Sequence, residues 1–299
     1  MAATPFSPKS HSHHQSRSKS LPCRPHPLIL QCNQHLGSLE ASASDSTSPS
    51  SSLFRQKLTG LQTLHDCIEK LVLLPHTQEV LVQERQEKWV EELLDGSLRL
   101  LDVSTAAKDA LLHTKECARE LQSIMRRKRG GEMEVAAEVR KFLASRKVVK
   151  KAILKALENL QAAVKKAKFS PSNKDHRTAT LANLFKDVEV ITLSILESLM
   201  NFISGSAQAK PKHSRWSAIS KLVRPKRVIC DSQESTINEF EKVDAALQSL
   251  ISHKPSSTEN FQSHMENLEL CIQDLEIGVD HLSRKLIRNR VSLLNIFNH

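Results

Sequence analysis

The chain of 299 residues has no Tyr, only seven Gly and an aromatic content of 4%. Because sheets rely on aromatic and β-branched strands joined by Gly-rich turns, this composition argues against a β-rich fold. Uninterrupted apolar runs stay well short of the roughly 20 residues that a membrane-spanning helix needs, and no apolar signal-peptide core opens the sequence. We therefore expect an all-α protein that does not span a membrane and is not secreted by the usual route.

Motifs for catalysis and metal binding are equally scarce. The six cysteines are scattered, with no Cys-x-x-Cys pair and no His pair at zinc spacing, which is typical of free thiols in a reducing compartment. No Gly-rich nucleotide loop, His-Glu-x-x-His or Gly-x-Ser-x-Gly motif occurs. We expect no metal, no cofactor and no enzymatic activity, although residues that only folding brings together can still form a site.

The charge balance favours an acidic partner. A formal net charge of +10 and a pI near 9.4 suit nucleic acid, an anionic membrane surface or a phosphoprotein, and they equally suit long helices with solvated Lys and Arg. Two basic clusters, 126–129 and 146–151, predict a basic face. Aromatic residues for base stacking do not alternate with them, and no helix-turn-helix or zinc-finger pattern is present. We therefore do not expect nucleic-acid binding.

Apolar residues near the C-terminus recur at alternating steps of four and three, which places them on one face of a long helix. An Asn also falls on this face, and it either fixes the register of helix pairing or lies at a frayed helix end. The helix needs a partner within one chain or between two. The stripe consists of Phe261, Met265, Leu268, Ile272, Leu275, Val279, Leu282, Leu286, Asn289, Leu293 and Ile296.

Similar stripes predict five earlier helices, at about 53–74, 77–128, 132–168, 177–203 and 237–255. The second is apolar over a wide arc, which places it at the centre of the bundle, with Gly96 as its weak point. On the first, His65 is expected to be a hydrogen-bonded core histidine. Together these patterns predict an all-α, elongated bundle of about six long helices over 53–299, interrupted by a basic internal loop at about 205–231.

Residues 1–52 are rich in Ser, Pro and His and predict a disordered tail with one docking patch around 28–39. Arg17 lies three residues before Ser20, as basophilic kinases prefer, and Pro22 lies two residues after it. Ser18 and Ser20 are therefore candidate phosphosites, and the spacing of Arg17, Ser20 and Pro22 resembles the ligands of 14-3-3 adaptors. The tail also resembles an organellar transit peptide, although its basic residues are sparse and no amphipathic helix is evident.

The basic stretch at about 205–231 is a second candidate site. Its apolar residues share a helical face beside several cations, so it suits an anionic membrane or the groove of a partner. The competing interpretation is a short helix docked on the protein's own bundle. The residues concerned are Arg215, Trp216, Ile219, Lys221, Leu222, Arg224, Lys226 and Arg227.

Several segments together resemble the plant BYPASS-like proteins, a family without an established reaction. They are the tail segments 17–22 and 24–27, the run 89–97 that ends in Glu-Leu-Leu-Asp-Gly-Ser, the run 98–115, the basic and double-Gly break at 126–131, and the run 290–296. The resemblance implies a helical fold and an association with root and shoot development. It implies no cofactor and no active-site residues.

We therefore expect a non-enzymatic helical interaction or adaptor protein of plant development, regulated by tail phosphorylation, whose protein partners include 14-3-3-type adaptors. Two alternatives stay open: a peripheral membrane protein held by the Trp216 segment, and an uncharacterised enzyme or metabolite-binding protein with a pocket between helices. A cytoplasmic location is the first expectation, beside membrane-peripheral, nuclear, plastid or mitochondrial ones. The oligomeric state is left open.

Overall fold

The computed structural model describes residues 26–44, 49–127, 132–166, 176–205, 237–252 and 258–298. Within these ranges the chain is all-α and has no strand, which confirms the predicted fold class, with eight helices in place of about six. No helix of the described ranges combines the length and the apolarity needed to cross a bilayer. The helices are α1 (Pro27–Ser44), α2 (Ser51–Val72), α3 (Pro75–Gln83), α4 (Lys88–Arg127), α5 (Glu132–Lys166), α6 (His176–Ser204), α7 (Glu239–Ile251) and α8 (Thr258–Asn298).

Two long helices form the axis of the bundle. α4 and α8 contain 40 and 41 residues, so each is about 60 Å long. α4 packs against α5, α6 and α8, which confirms the central place predicted for this segment, and α8 packs against α2, α4 and α7. The C-terminal stripe is buried from Phe261 to Leu293 and supplies much of the core.

Ion pairs set the register of α4 against α8. The cations stand on α4 and the carboxylates on α8, and positions that descend along α4 ascend along α8, so the two helices are antiparallel. The Lys108 Nζ to Asp280 Oδ1 distance is 2.7 Å, and this hydrogen bond holds the pKa of Asp280 below its usual range. The pairs are Arg119 with Glu269, Lys115 with Glu276, and Lys108 with Asp280.

The long helix predicted for 77–128 is divided in the structure. α3 ends at Gln83 and α4 starts at Lys88, and the tight turn between them is closed by the Glu87 amide, which donates to the Glu84 carbonyl over 2.8 Å. The weak point predicted at Gly96 is wrong, because Gly96 lies inside α4. Contact with Glu189 of α6 supports the helix at this glycine.

The boundary predicted for the tail, at residue 52, differs from the structure, because residues 27–44 form a packed helix. α1 buries Cys32, Leu36 and Leu39 against α2 and α6. A Cβ on Gly60 of α2 would lie 2.7 Å from Leu39 Cδ2, so the glycine makes room for this contact. Few apolar side chains carry the packing of this 18-residue helix, which is why its sequence predicts only a docking patch. Residues 1–25 lie outside the described ranges.

Candidate functional site

A cavity of about 60 Å³ lies between α2, α4, α6 and α8. Trp89, Leu93 and Phe185 belong to its apolar wall. The polar side chains of the wall fall into two groups, one from α4 and α6 and the other from α2 and α8. This volume is ample for ordered water, because about 10–15 Å³ of such space holds one water molecule.

The first polar group is an ion cluster that joins α4 to α6. Arg99 Nε and Nη2 donate to Glu189 Oε1 over 3.0 and 2.7 Å, and Nη2 also donates to Glu92. Lys186 Nζ lies 2.9 Å from Glu189 Oε2. Burial alone would lower the pKa of Arg99, but Glu189 and Glu92 outweigh it and raise that pKa above its ordinary value. The two cations, Arg99 and Lys186, balance the two carboxylates, Glu92 and Glu189, and this pairing offsets the cost of removing the charges from water.

Gly96 lets this ion cluster approach the backbone of α4. A Cβ at Gly96 would lie 2.8 Å from Cδ and 2.9 Å from Oε2 of Glu189. The carboxylate is not free to move away, because Arg99 and Lys186 hold it. The glycine of the 92–97 run is therefore explained by the ion cluster rather than by a flexible helix.

The second polar group is a chain of hydrogen bonds through the buried histidine. Asn289 Nδ2 donates to His65 Nδ1 and to the His65 carbonyl, over 3.2 Å in each case. Because Nδ1 accepts, we assign the ring proton to Nε2, which donates to Thr192 Oγ1 over 3.0 Å. Thr192 in turn donates to the Val188 carbonyl over 2.7 Å. Burial lowers the pKa of His65 to about 4, against the opposing effect of Asp66, so the ring is neutral at pH 7.

These contacts confirm the prediction for His65 and decide between the two interpretations of Asn289. His65 is a hydrogen-bonded core residue, and Asn289 lies in the core with 6% of its surface exposed, so the frayed-end interpretation of this residue is wrong. The Thr192 hydroxyl gives its proton to a backbone carbonyl rather than to the imidazole. The pair is therefore arranged to keep a neutral histidine in place, and not to activate a nucleophile.

The Oδ1 atom of Asn289 is buried and has no hydrogen-bond partner within the described residues. A buried acceptor that lacks a donor costs about 1–3 kcal/mol, so a molecule that brings a donor to it is bound favourably. Asn289 lines the cavity, and water fits the volume and the chemistry. The site can thus accept one hydrogen bond from a small donor at Asn289, while Trp89, Leu93 and Phe185 offer apolar contact.

Arg290 connects two of the segments that carry the family resemblance. Its Nη1 donates to the Leu94 carbonyl over 2.7 Å and to Ser97 Oγ over 2.6 Å. The run 89–97 belongs to α4 and the run 290–296 to α8, so only the folded chain brings the two together. They meet beside the cavity, which Ser97 and Leu293 also line.

A buried arginine, Arg146, joins four helices. Arg146 of α5 is 2% exposed and donates to Asp244 Oδ1, Thr114 Oγ1 and the Ile203 carbonyl over 3.3, 3.4 and 2.9 Å. The guanidinium carbon lies 5.1 Å from the centroid of the Phe240 ring. The prediction that Arg146 belongs to an exposed basic face is therefore wrong, because Asp244 neutralises its charge inside the core.

The sites predicted from the sequence lie outside the described residues. The candidate phosphosites Ser18 and Ser20, with Arg17 and Pro22, precede residue 26, and the basic segment around Trp216 falls between residues 205 and 237. A pocket between helices was an open alternative without assigned residues, and the polar His65 and Asn289 on apolar stripes were the signals of this cavity. In the ranges that the structure covers, no group of three or more His, Cys, Asp or Glu is placed to hold a metal ion.

The fold and this cavity define an all-α bundle protein whose long helices enclose a small, partly polar site. A family model described as Protein BPS1 matches residues 57–296. The chain therefore belongs to the BPS1 family, which confirms the resemblance to the plant BYPASS-like proteins. Neither the curated proteins nor the solved structures contain a match to the chain.

Proposed function

We propose that this protein is a non-enzymatic helical adaptor whose phosphorylated tail recruits a reader protein to the bundle. The observation that carries the proposal is the short length of chain between the Ser20 motif and α1. Ser20 precedes Pro27, the first residue of α1, by seven residues, and seven extended residues span at most about 25 Å. A protein bound at Ser20 is therefore held close to the bundle.

The attachment of α1 supports this geometry. Cys32, Leu36 and Leu39 are buried, and Cys32 Sγ donates to Cys67 Sγ of α2 over 2.8 Å. Burial raises the pKa of the Cys32 thiol, and the contact with Cys67 adds to the effect, so Cys32 packs as a protonated thiol. An anchored helix next to the motif suits an adaptor that sets its partner against a defined surface.

The recruitment step is tested with the full chain, phosphorylated by a basophilic kinase, and a 14-3-3 protein as the probe. Phosphate at Ser20 adds about −1.5 to −2 charges and three acceptors for an arginine cluster. We expect Ser20→Ala to weaken binding by roughly tenfold or more. The matched control is Ser18→Ala, which leaves Arg17, Ser20 and Pro22 in place and keeps the affinity. Calorimetric titration that finds equal affinity for the wild type and Ser20→Ala would overturn the tail switch.

The anchored geometry is tested by detaching α1 without touching the motif. Leu36→Asp places a charge in the α1 contact, whereas Leu30→Asp, on the same helix, changes a side chain that is 55% exposed. We expect the reader to bind both variants. Lysine-reactive cross-links between the reader and the bundle should be lost in Leu36→Asp and kept in Leu30→Asp. Cross-links of equal yield in both variants would show that α1 does not position the reader.

We further propose that the adaptor acts in root and shoot development, which rests on membership of the family. Plants that lack the protein are complemented with the wild type, Ser20→Ala or Ser18→Ala. Root and shoot growth should recover with the wild type and with Ser18→Ala, and should not recover with Ser20→Ala. Full recovery with Ser20→Ala would show that the developmental role does not need phosphorylation of Ser20. Normal growth of plants that lack the protein would contradict the developmental role.

The basic segment favours a second candidate function, a peripheral membrane protein. Each Lys or Arg near an anionic leaflet contributes about 1 kcal/mol, and a Trp sits well at the membrane interface. Pelleting with vesicles that contain phosphatidylserine should fall with Trp216→Ala and with about 0.5 M salt. Replacing the buried Trp89 by Phe is the control. Pelleting that neither the Trp216 change nor salt affects would remove this candidate.

The unpartnered Asn289 Oδ1 favours a third candidate, a protein that binds a small metabolite in the cavity. A ligand much larger than water needs the wall to move. Leu93→Trp fills the space, and Leu154→Trp, at an exposed position of α5, is the control. A species that native mass spectrometry detects on the protein purified from plant tissue, and that Leu93→Trp loses, would support this candidate. A wild-type protein without a bound species would argue against it.

A further inference from the structure

α8 has a second apolar stripe, on the side that faces away from the bundle. Leu270, Ile277, Ile287 and Val291 are 63%, 50%, 50% and 49% exposed. Leu270, Ile277 and Val291 stand at multiples of seven residues, with Arg284 at the remaining position. This heptad spacing is the one by which helices pair along a seam. We call Leu270, Ile277, Ile287 and Val291 the outer stripe.

The bundle does not use the outer stripe. The C-terminal stripe of α8 already packs against α2, α4 and α7. The carboxylates at its edge, Glu269, Glu276 and Asp280, pair with cations of α4. Single exposed apolar residues are ordinary on a protein surface. The outer stripe is different, because its four side chains follow one face of one helix for about 30 Å.

Charges along the outward face of α8 are separated by sign. Glu266 and Asp274 lie in the first half of this face, and Arg284 and Arg288 lie in the second half. Within one chain Asp274 lies 3.7 Å from Arg55 and Arg284 lies 2.6 Å from Asp280, and such exposed ion pairs are weak enough to exchange partners. Two copies of α8 laid antiparallel set the acidic half of each against the basic half of the other. A parallel arrangement sets like charges together, which is unfavourable.

An antiparallel pair centred near Leu282 also matches the apolar side chains. Ile277 of one copy then faces Ile287 of the second copy, and Leu270 faces Leu294, which is partly buried at the end of the stripe. The basic segment of this chain is a poorer occupant, because residues 206–230 carry cations and no carboxylate and so complement the acidic half alone.

We infer that the outer stripe of α8 binds a second copy of this chain, with the two α8 helices antiparallel. This self-association goes beyond the adaptor function and does not depend on it. A dimer displays two tails, so a reader with two binding sites gains affinity through avidity.

The association is tested by sedimentation of the full chain from about 1 to 100 μM, a range that covers weak, micromolar association. Ile277→Asp buries two charges in the seam of a dimer and should weaken association by roughly tenfold or more. The matched control is Leu154→Asp on α5, where the leucine is 56% exposed, and it should sediment as the wild type does. Circular dichroism checks that both variants fold.

The orientation is tested by exchanging charges. One variant carries R284E and R288E, and the other carries E266K and D274K. Each should be monomeric alone, and the mixture should form heterodimers. A wild type that stays monomeric over the whole range, or Ile277→Asp that associates as tightly as the wild type, would overturn the proposal. Charge variants that still associate alone would overturn the antiparallel arrangement.

Discussion

Arg146 and Arg99 have contrasting surroundings, the first buried and the second partly exposed. Arg146 donates to acceptors on α4, α6 and α7 and lies against the face of the Phe240 ring. Arg99 pairs with two carboxylates beside a cavity of about 60 Å³. Each arginine has its charge balanced, yet the wall next to the Arg99 cluster also holds Asn289, whose Oδ1 lacks a partner among the described residues.

Because of this difference, we regard the Arg146 cluster as structural and the surroundings of Arg99 as the candidate site. Around Arg146 the hydrogen bonds and the ring contact hold four helices together, and the guanidinium is closed off from solvent. Around Arg99 the same kind of ion pairing positions the wall of a cavity that can take in a donor. Buried charge alone therefore does not single out a candidate site in this bundle, whereas a cavity beside an unpartnered acceptor does.

The largest expected effect comes from the closed cluster. Arg146→Met roughly keeps the side-chain volume but leaves Asp244 without its buried partner, so we expect the free energy of unfolding to fall by about 3–5 kcal/mol. Lys150→Met removes the second, more exposed cation beside Asp244 and should cost less than about 1 kcal/mol. Urea denaturation measures both. Equal losses would show that Arg146 does not hold the junction.

The next effect concerns the neutral histidine of the candidate site. The pKa of His65 is near 6.5 in the unfolded chain and about 4 in the fold, so the unfolded chain takes up the proton first as the pH falls. The neutral, buried His65 therefore makes its full contribution to the free energy of unfolding above pH 6.5. About 3 kcal/mol of that free energy is lost as the pH falls to 4. Between pH 7 and pH 4, urea denaturation should show a loss in the free energy of unfolding that is about 3 kcal/mol larger for the wild type than for His65→Gln. Parallel declines would mean that His65 is not buried in its neutral form.

The smallest effect tests the contact between α4 and the ion cluster. Gly96→Ala must displace a carboxylate that two cations hold, so we expect a net loss of about 1–2 kcal/mol in spite of the better helix propensity of Ala. Gly37→Ala is the control, since a Cβ there meets no atom within 4 Å, and it should stabilise α1 by up to about 1 kcal/mol. With Glu189→Ala in the background, the loss from Gly96→Ala should disappear. A persistent loss would place the strain elsewhere.

Helices with a continuous packing face were predicted closely. α6 was predicted at 177–203 and is His176–Ser204, and α2 was predicted at 53–74 and is Ser51–Val72. Each has an apolar residue at every third or fourth position, and this spacing can be recognised directly in the sequence. α1 was not predicted as part of the bundle, because its few buried side chains depend on a surface that α2 and α6 provide. The turn between α3 and α4 was missed because its hydrogen bonds leave no strong sequence pattern.

The candidate site was visible in the sequence only where polarity interrupts a stripe. His65 and Asn289 were singled out for this reason. The ion pair of Arg99 with Glu189 joins residues 90 positions apart, and no local pattern links them. The same distance explains the error at Gly96, where a glycine that fits against α6 was interpreted as a weakness of its own helix.

The helical structure of this chain, and the face that each long helix buries, follow from the periodicity of its apolar residues, because a helix repeats its geometry every few positions. Family membership follows from the sequence as well. The burial of Arg146 with Asp244, the cavity beside Arg99 and the packing of α1 each depend on segments that are distant along the chain. Those features appear only when the helices pack, because the energy of a buried charge or an unpartnered acceptor is set by the atoms around it.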